Sequence, residues 1–214
     1  MRIARVLMCL AVVLGVVVAS SGVLAQKTGD ALERYNRASL ATRAILESWR
    51  ASSGRADTSL AAAVAHAPDA VDRIRRMLSD SPEPSFPRQV LLDRLQQFVD
   101  ESTEIVPAVG DALARGDVGA IGPLVDRSQR AAEILLGNQV PETIALARGA
   151  RSLGAVAASA FGAGFGGSVW ALVDGEAAGD FQSRWSEQYG RRFPDAASRA
   201  VSFVTRPGPA AIRL

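Results

Sequence analysis

Four glycines within six residues, Gly162, Gly164, Gly166 and Gly167, are the feature of this chain that points most directly to chemistry. Glycine has no Cβ, so its backbone can adopt positive φ and other atoms can approach it closely. Successive backbone N–H groups in such a loop can form a nest that binds an anion, for example a phosphate group. The same stretch is also typical of an ordinary glycine-rich hairpin turn, and the loop residues alone do not decide between the two.

The glycine spacing Gly162-x-Gly164-x-x-Gly167 matches the dinucleotide-binding fingerprint, but the flanking sequence does not. That fingerprint requires a strand before the glycines, a helix after them, and an acidic residue about 20 positions later. In this chain the apolar, β-prone run Ser168–Val173 follows the loop. The pattern therefore predicts a loop that joins strand to strand, which excludes a dinucleotide site of this kind.

Hydrophobic periodicity predicts the elements that must position this loop. Apolar residues at helical spacing predict helices at Gly29–Arg50, Leu60–Ala67, Asp69–Leu78, Arg88–Gly116 with a kink at Pro107, Asp117–Leu136, Pro141–Ser152 and Glu176–Tyr189. Short β-prone runs predict strands at Val12–Ala19, Ala155–Ala160, Ser168–Val173 and Ala200–Thr205. This order predicts an α+β fold with a split βαβ, ferredoxin-like sheet covered by helices.

The composition suits one globular domain. The chain has 214 residues, of which 48% are hydrophobic and 21% charged, enough to bury one sizeable core. Its net charge is +2, and its arginines are spread over the predicted helices with few aromatic residues among them, so we expect no nucleic-acid partner. Cys9 is the only cysteine, which excludes an internal disulfide and a cysteine-based metal site.

Several segments together resemble the GHMP small-molecule kinases in their galactokinase form. The similar segments, in the order expected for the C-terminal half of that family, are Val16–Val23, Lys27, Glu33–Arg37, Leu136–Thr143, Gly149–Ala157, Ser159–Leu172 and Phe203–Ala210. The resemblance covers roughly residues 16 to 214. It implies the fold of the GHMP kinase C-terminal domain over residues 13–214, and it leaves residues 1–12 as a separate N-terminal segment.

The resemblance also implies an activity and a set of ligands. The family transfers a phosphoryl group from ATP, with Mg²⁺, to a substrate hydroxyl group, which in the galactokinase form belongs to a sugar. The four loop glycines would then lie beside the ATP phosphates and support the phosphate loop of an N-terminal domain. Tyr35, which precedes Asn36 and Arg37, would bond to a sugar hydroxyl. The alternative for Tyr35 is an amphipathic helix residue whose ring packs and whose hydroxyl reaches water.

We assign no residue of this sequence to catalysis or to metal binding. The family's sugar-binding Gly-Glu-His-x-Asp segment, its Gly-Leu-Ser-Ser-Ser phosphate loop and its catalytic aspartate belong to an N-terminal domain, and none of them is found in the 214 residues. We therefore expect a truncated kinase that is inactive alone and binds sugar and ATP only when an N-terminal domain completes it. A non-catalytic regulatory or binding protein on the same scaffold is the alternative.

The first 25 residues support two incompatible interpretations. Two arginines, an uncharged run from Val6 to Val18 and a small-residue end at Ala25 have the layout of a cleavable signal peptide, which favours an exported helical protein. The kinase resemblance instead makes Val12–Ala19 a buried strand and implies a cytoplasmic protein, because sugar kinases use cytoplasmic ATP. We adopt the second interpretation, with residues 1–12 a signal-like segment or a misplaced start, and expect no membrane association.

Overall fold

The fold is built around one four-stranded sheet. The computed structural model describes residues 14–23, 30–80 and 85–206, with side chains from residue 36 onward in the second of these ranges. The strands are β1 (Leu14–Ser20), β2 (Ala157–Phe161), β3 (Ser168–Asp174) and β4 (Ser202–Thr205). They lie in the order β2-β3-β1-β4, and every neighbouring pair is antiparallel. The predicted α+β fold with a split βαβ sheet is confirmed.

Helices fill the long connection between β1 and β2 and the shorter one between β3 and β4. Their bounds are α1 (Asp30–Ser53), α2 (Leu60–Ala65), α3 (Ala70–Asp80), α4 (Arg88–Val99), α5 (Val106–Ala114), α6 (Val118–Ala131), α7 (Pro141–Ser152), α8 (Ala178–Arg192) and α9 (Pro194–Ala197). Two π-helical turns follow α4 and α6, at Asp100–Ile105 and Ala132–Leu136. None of the helices in the described ranges is long and apolar enough to cross a membrane.

The segment Arg88–Gly116, predicted to be helical and to be kinked or split in two by Pro107, is helical from Arg88 to Ala114. The α-helical pattern changes at Asp100, where the π-helical turn begins, and α5 starts only at Val106. Proline has no N–H and cannot complete a hydrogen bond in a helix interior. Pro107 is the second residue of α5 and lies just after the π-helical turn Asp100–Ile105, so the irregular turn lies where proline removes a helical hydrogen bond.

Strand alternation gives the sheet two different faces. Successive side chains of a strand point to opposite faces, and Val17 of β1 lies directly opposite Ala171 of β3. These residues, together with the other buried positions of β1 and β3, pack against α7 and α8. The main core on this face includes Ala19, Leu146, Val169, Val173, Phe181, Trp185 and Tyr189.

β1 is a central strand, which bears on the two interpretations of the N-terminus. It pairs with β3 over its whole length and with β4 from Val16 to Ala19. Cleavage after Ala25 would remove this strand and leave β3 and β4 without their common partner. The structure therefore disfavours the interpretation of this region as a cleaved signal peptide. The predicted boundary between residues 12 and 13 lies outside the described residues and stays a prediction.

Helices α1 to α4 form a second core beside the sheet. Its buried members include Ile45, Trp49, Leu60, Ile74, Leu78, Leu91 and Leu95. The indole Nε1 of Trp49 donates a hydrogen bond to Asp57 Oδ2 at 2.9 Å, and Arg55 pairs with the same carboxylate. In this arrangement α4 contacts the π-helical turn Ala132–Leu136, which leads the chain towards the glycine loop.

Candidate functional site

The glycine loop, residues 162–167, joins β2 to β3 at one end of the sheet. Phe161 before the loop pairs with Ser168 after it, and the two strands continue antiparallel from there. The predicted strand–loop–strand arrangement is confirmed, and the helix that a dinucleotide fingerprint requires after its glycines is not at this place. The loop ends lie next to Ser20 at the end of β1.

The backbone of the loop lies almost entirely in the left-handed half of conformational space. The φ angles are +92° at Gly162, +88° at Gly164, +126° at Gly166 and +86° at Gly167, and Phe165 has φ +60°. Residues with a Cβ rarely adopt such angles. The glycines therefore give the loop a shape that other residues would adopt only with strain.

Asn138, which follows α6 and its π-helical turn, holds the loop from one side. Its carbonyl oxygen accepts a hydrogen bond from the N–H of Phe165 at 2.6 Å. Its side-chain Nδ2 donates to the carbonyl oxygen of Ala163 at 3.3 Å. A Cβ added to Gly164 would lie 2.0 Å from the Asn138 carbonyl oxygen, so at this position glycine is required by a close backbone approach as well as by φ.

The end of β1 holds the loop from the other side. The N–H of Ser21 donates to the carbonyl oxygen of Gly167 at 2.7 Å. A Cβ added to Gly166 would lie 3.0 Å from the carbonyl oxygen of Val23 and within 3.3 Å of the Val23 side chain. The loop is thus fixed between two segments that are far from it in sequence.

Tyr189 of α8 reinforces this second contact from the core. Its hydroxyl donates a hydrogen bond to the carbonyl oxygen of Ser21 at 2.5 Å. Burial, and to a smaller extent the negative charge of Glu142, raises the pKa of the Tyr189 phenol to about 12. The phenol therefore stays protonated near neutral pH and remains a hydrogen-bond donor to the segment that holds the loop.

The loop is buried on one side and open on the other. Gly164 and Gly166 are buried against Asn138 and Val23, whereas Gly162 and Gly167 are exposed. A Cβ at either exposed glycine would meet nothing within 4 Å. A backbone that is fixed from behind and open in front can present its peptide groups to a ligand.

A cavity of about 310 Å³ lies directly against the loop. Ala163 and Phe165 form part of its wall together with Asn138, the π-helical turn, and residues of α1 and α4. Two larger grooves, of about 490 and 370 Å³, lie along α7 and contain no residue of the glycine loop. We therefore take the cavity beside the loop as the candidate site, because two residues of the glycine loop, Ala163 and Phe165, form part of its wall.

Two arginines line this cavity, and only one of them has a guanidinium that is free of the α1–α4 link and can contact a ligand. The Nε of Arg94 donates to Ala38 O at 3.1 Å and to Thr42 Oγ1 at 2.8 Å, and burial lowers the pKa of its guanidinium. Arg94 is therefore committed to the link between α1 and α4. Arg37 is exposed and supplies a positive charge at the edge of the cavity.

The other predicted site residue, Tyr35, precedes Arg37 by two positions in α1, and its side chain lies outside the described residues. The helix that carries it lines the cavity, while its role in sugar binding stays a prediction. Across the ranges that the structure describes, no three or more His, Cys, Asp and Glu side chains are grouped to hold a metal ion.

The sequence did not point to Asn138 or Val23 as neighbours of the loop. Gly137-Asn138 reads as a helix stop, and Gly137 does adopt φ +59° after the π-helical turn. The carbonyl oxygens of Asn138 and Val23 are the atoms nearest to a Cβ added at Gly164 and Gly166, and any residue type has a carbonyl group. The side-chain amide of Asn138 also bonds to the loop, but its partner lies 25 residues away.

Comparison with known proteins shows what the chain resembles. Residues 111–191 match the family model described as GHMP kinases C terminal. This match spans α6, α7, the glycine loop and α8, the segment on which the resemblance to the family chiefly depends. A search of curated proteins gave no significant match.

Two solved structures are similar to the chain. The galactokinase of Lactococcus lactis, complexed with galactose, has a TM-score of 0.72 at 20% identity, over 94% of this chain and 47% of that one. The mevalonate kinase of L. major, in complex with R-mevalonate, has a TM-score of only 0.46 at 16% identity, over 92% of this chain and 44% of that one, and supports no argument. The chain thus spans about half the length of these kinases.

The galactokinase likeness shows the shared fold, and the family match covers the loop and the helices around it. The resemblance of this sequence to the C-terminal half of a galactokinase-like protein is confirmed. The chain is therefore similar to the C-terminal half of the GHMP kinases, and residues 111–191 match that family's C-terminal model.

Proposed function

We propose that this chain is the C-terminal half of a two-lobed, galactokinase-like kinase that transfers the γ-phosphoryl group of ATP to a sugar hydroxyl. The glycine loop lies beside the ATP phosphates, and the sugar lies on the α1 side of the cavity near Tyr35. ATP, Mg²⁺ and the sugar are bound between this half and an N-terminal lobe. Because sugar kinases use cytoplasmic ATP, the proposal also assigns the protein to the cytoplasm.

The observation that carries the proposal is the fixation of the glycine loop. Asn138 and the end of β1 hold its buried side, and Gly162 and Gly167 remain open to solvent. Phosphoryl transfer depends mostly on the positioning of groups and on stabilisation of charge. A rigid, open loop is suited to this task, because its peptide groups need no reorganisation when a triphosphate or a neighbouring phosphate loop arrives.

The described residues also support the inactivity of this half on its own. A backbone loop can stabilise negative charge, but it supplies neither a base for the sugar hydroxyl nor ligands for Mg²⁺. Arg37 is the exposed cation at the cavity, and Arg94 is held by Ala38 and Thr42. Asp93 also lines the cavity, and its carboxylate accepts a hydrogen bond from Gln89 at 2.8 Å. The proposal places the base and the magnesium ligands in the N-terminal lobe.

The experiment is a complementation assay. The N-terminal half of the Lactococcus lactis galactokinase is joined ahead of Leu14, and galactose-dependent ADP formation is measured for the fusion and for the unfused chain. We expect turnover by the fusion only. In the fusion, Gly164→Asp should abolish turnover, because its side chain would collide with the Asn138 carbonyl, while Gly110→Ala in α5, where a Cβ meets nothing within 4 Å, should leave it unchanged.

Two results would contradict the proposal. Galactose phosphorylation by the unfused chain, lost on Gly164→Asp, would show that this half carries its own catalytic groups. A folded fusion without turnover for galactose or any other sugar tested would refute a role in sugar phosphorylation. A mass spectrum of the native protein that begins at Gln26 would contradict the cytoplasmic assignment.

A further inference from the structure

The face of the sheet that points away from α7 and α8 is apolar across its width. Val18 of β1 lies opposite Trp170 of β3 and opposite Phe203 of β4. The next row of this face pairs Leu172, Val16 and Thr205 in the same way. We call this surface the outer face and define it by Val16, Val18, Trp170, Leu172 and Phe203. Its two rows, completed on β2 by Ala157 and Ser159, contain no charged residue.

The direction of the outer face follows from contacts on the opposite side. Ser202 of β4 bonds to Gln182 and Ser186 of α8, so Ser202 points to the helix side of the sheet. Phe203, the next residue of the strand, must point to the other side. The same alternation separates Val18 from its buried neighbours Val17 and Ala19.

The described helices cover the β2 and β3 side of the outer face and leave the β1 and β4 side open. Ile121 and Val125 of α6 pack against Ala157, and Trp170 and Leu172 pack against this small cluster. Val16, Val18 and Phe203 belong to none of the buried clusters in the described ranges, and Phe203 is 51% exposed. A contiguous apolar surface of this kind marks an interaction site more often than a free surface.

We propose that the outer face is the docking surface for the N-terminal lobe of the kinase, an inference that rests on the proposed function. The chain aligns with 47% of the similar galactokinase, and the proposed function assigns the other half of such a kinase to a second lobe. A neutral, apolar face selects an apolar protein surface, because it offers no charge to a phosphate or a nucleic acid.

The outer face is continuous with the candidate site. Phe161 is the last residue of β2, points to the same side as Ala157, and is 50% exposed. The glycine loop begins at the next residue. A lobe seated on the outer face therefore reaches the open side of the loop, where the proposed function requires the second half of the phosphate site.

The test compares two neighbouring substitutions in β4. Phe203→Asp places a charge on the outer face, and Val204→Asp places the same charge one residue later, on the helix side, where Val204 is 41% exposed and pairs with Val17. Binding of each full chain to the separate N-terminal half of the Lactococcus lactis galactokinase is measured by sedimentation. We expect Phe203→Asp to weaken binding about 30-fold or more, and Val204→Asp to change it by less than about 3-fold.

Thermal unfolding of each free variant shows whether it is folded, and Phe203→Thr, which keeps a strand-forming residue, replaces Phe203→Asp if the latter does not fold. Equal binding by wild type and Phe203→Asp would overturn the proposal, as would failure of the wild-type chain to bind. A dimer of this chain that Phe203→Asp disrupts would assign the outer face to a second copy instead.

The binding readout separates this proposal from the proposed function. A complex that depends on Phe203 but phosphorylates no sugar supports the docking surface and refutes the kinase activity. An active complex that tolerates Phe203→Asp refutes the docking surface and leaves the kinase activity in place.

Discussion

Replacement of Gly164 by alanine is expected to destabilise the protein far more than the same change at Gly162. Both glycines have nearly the same φ, +88° and +92°, so alanine incurs a similar backbone cost of about 1–2 kcal/mol at each. At Gly162 the new Cβ meets nothing within 4 Å, but at Gly164 it would lie 2.0 Å from the Asn138 carbonyl oxygen. The pair therefore separates conformational strain from the close contact.

The contact at Gly164 can be relieved only by movement of the backbone. Such movement would break the hydrogen bond from Phe165 N–H to the Asn138 carbonyl, at a further cost of about 1–2 kcal/mol. We expect a loss in the free energy of unfolding of about 3 kcal/mol for Gly164→Ala and about 1–2 kcal/mol for Gly162→Ala. For a chain of this size, 3 kcal/mol corresponds to a decrease in Tm of about 6–12 °C.

Urea unfolding of the two variants and the wild type measures this difference. Amide hydrogen exchange at Phe165 provides a second readout, because a loop that rearranges locally would lose protection there before the whole domain unfolds. Equal destabilisation by the two substitutions, with unchanged exchange at Phe165, would refute the role given to the contact with Asn138.

Three further predictions concern other parts of the fold. Hydrogen bonds from Arg55, and in smaller part from Trp49, lower the pKa of the Asp57 carboxyl from 3.8 to about 2. The ionised carboxylate therefore stabilises the fold above pH 3.8, and this contribution is lost as the pH falls towards 2. In Asp57→Asn the free energy of unfolding in urea should decrease less between about pH 4 and pH 2 than in the wild type, and an equal decrease would contradict this. Gln129→Leu removes the acceptor of the Ala160 N–H at 2.9 Å and should cost about 1–3 kcal/mol in urea unfolding; a cost near zero would show that the edge of β2 does not need this bond. A chain that begins at Gln26 lacks β1 and should show no cooperative thermal transition, and a normal melting curve would contradict the central place of that strand.

The sheet could be predicted from sequence because its signals are local. β3 alternates buried and partly exposed residues along seven positions, and the glycines mark the turn that precedes it. The π-helical turns could not be predicted in this way. Asp100–Ile105 has no glycine or proline within it, and its contact with α6 is tertiary, so a local pattern does not show it.

The candidate site was predictable only in part for a related reason. The glycines indicate that the loop between Phe161 and Ser168 adopts positive φ angles, and the structure has them. They do not indicate which segments contact the loop, because Asn138 and Ser21 each form a hydrogen bond to it through a backbone group. A backbone contact between residues more than 20 positions apart hardly constrains the residue types, so the sequence does not reveal it. The outer face is similar, since Val16 and Val18 look like ordinary buried strand residues in sequence.

The central claim is that the glycine loop lies beside the phosphates of ATP when an N-terminal lobe is present. The most direct measurement is amide NMR of the labelled chain in complex with a galactokinase N-terminal half, titrated with a non-hydrolysable ATP analogue and Mg²⁺. We predict that the amide signals of Gly162, Ala163 and Gly167 shift in the complex and do not shift in the free chain. Shifts confined to other parts of the chain, with the loop signals unchanged, would contradict the claim.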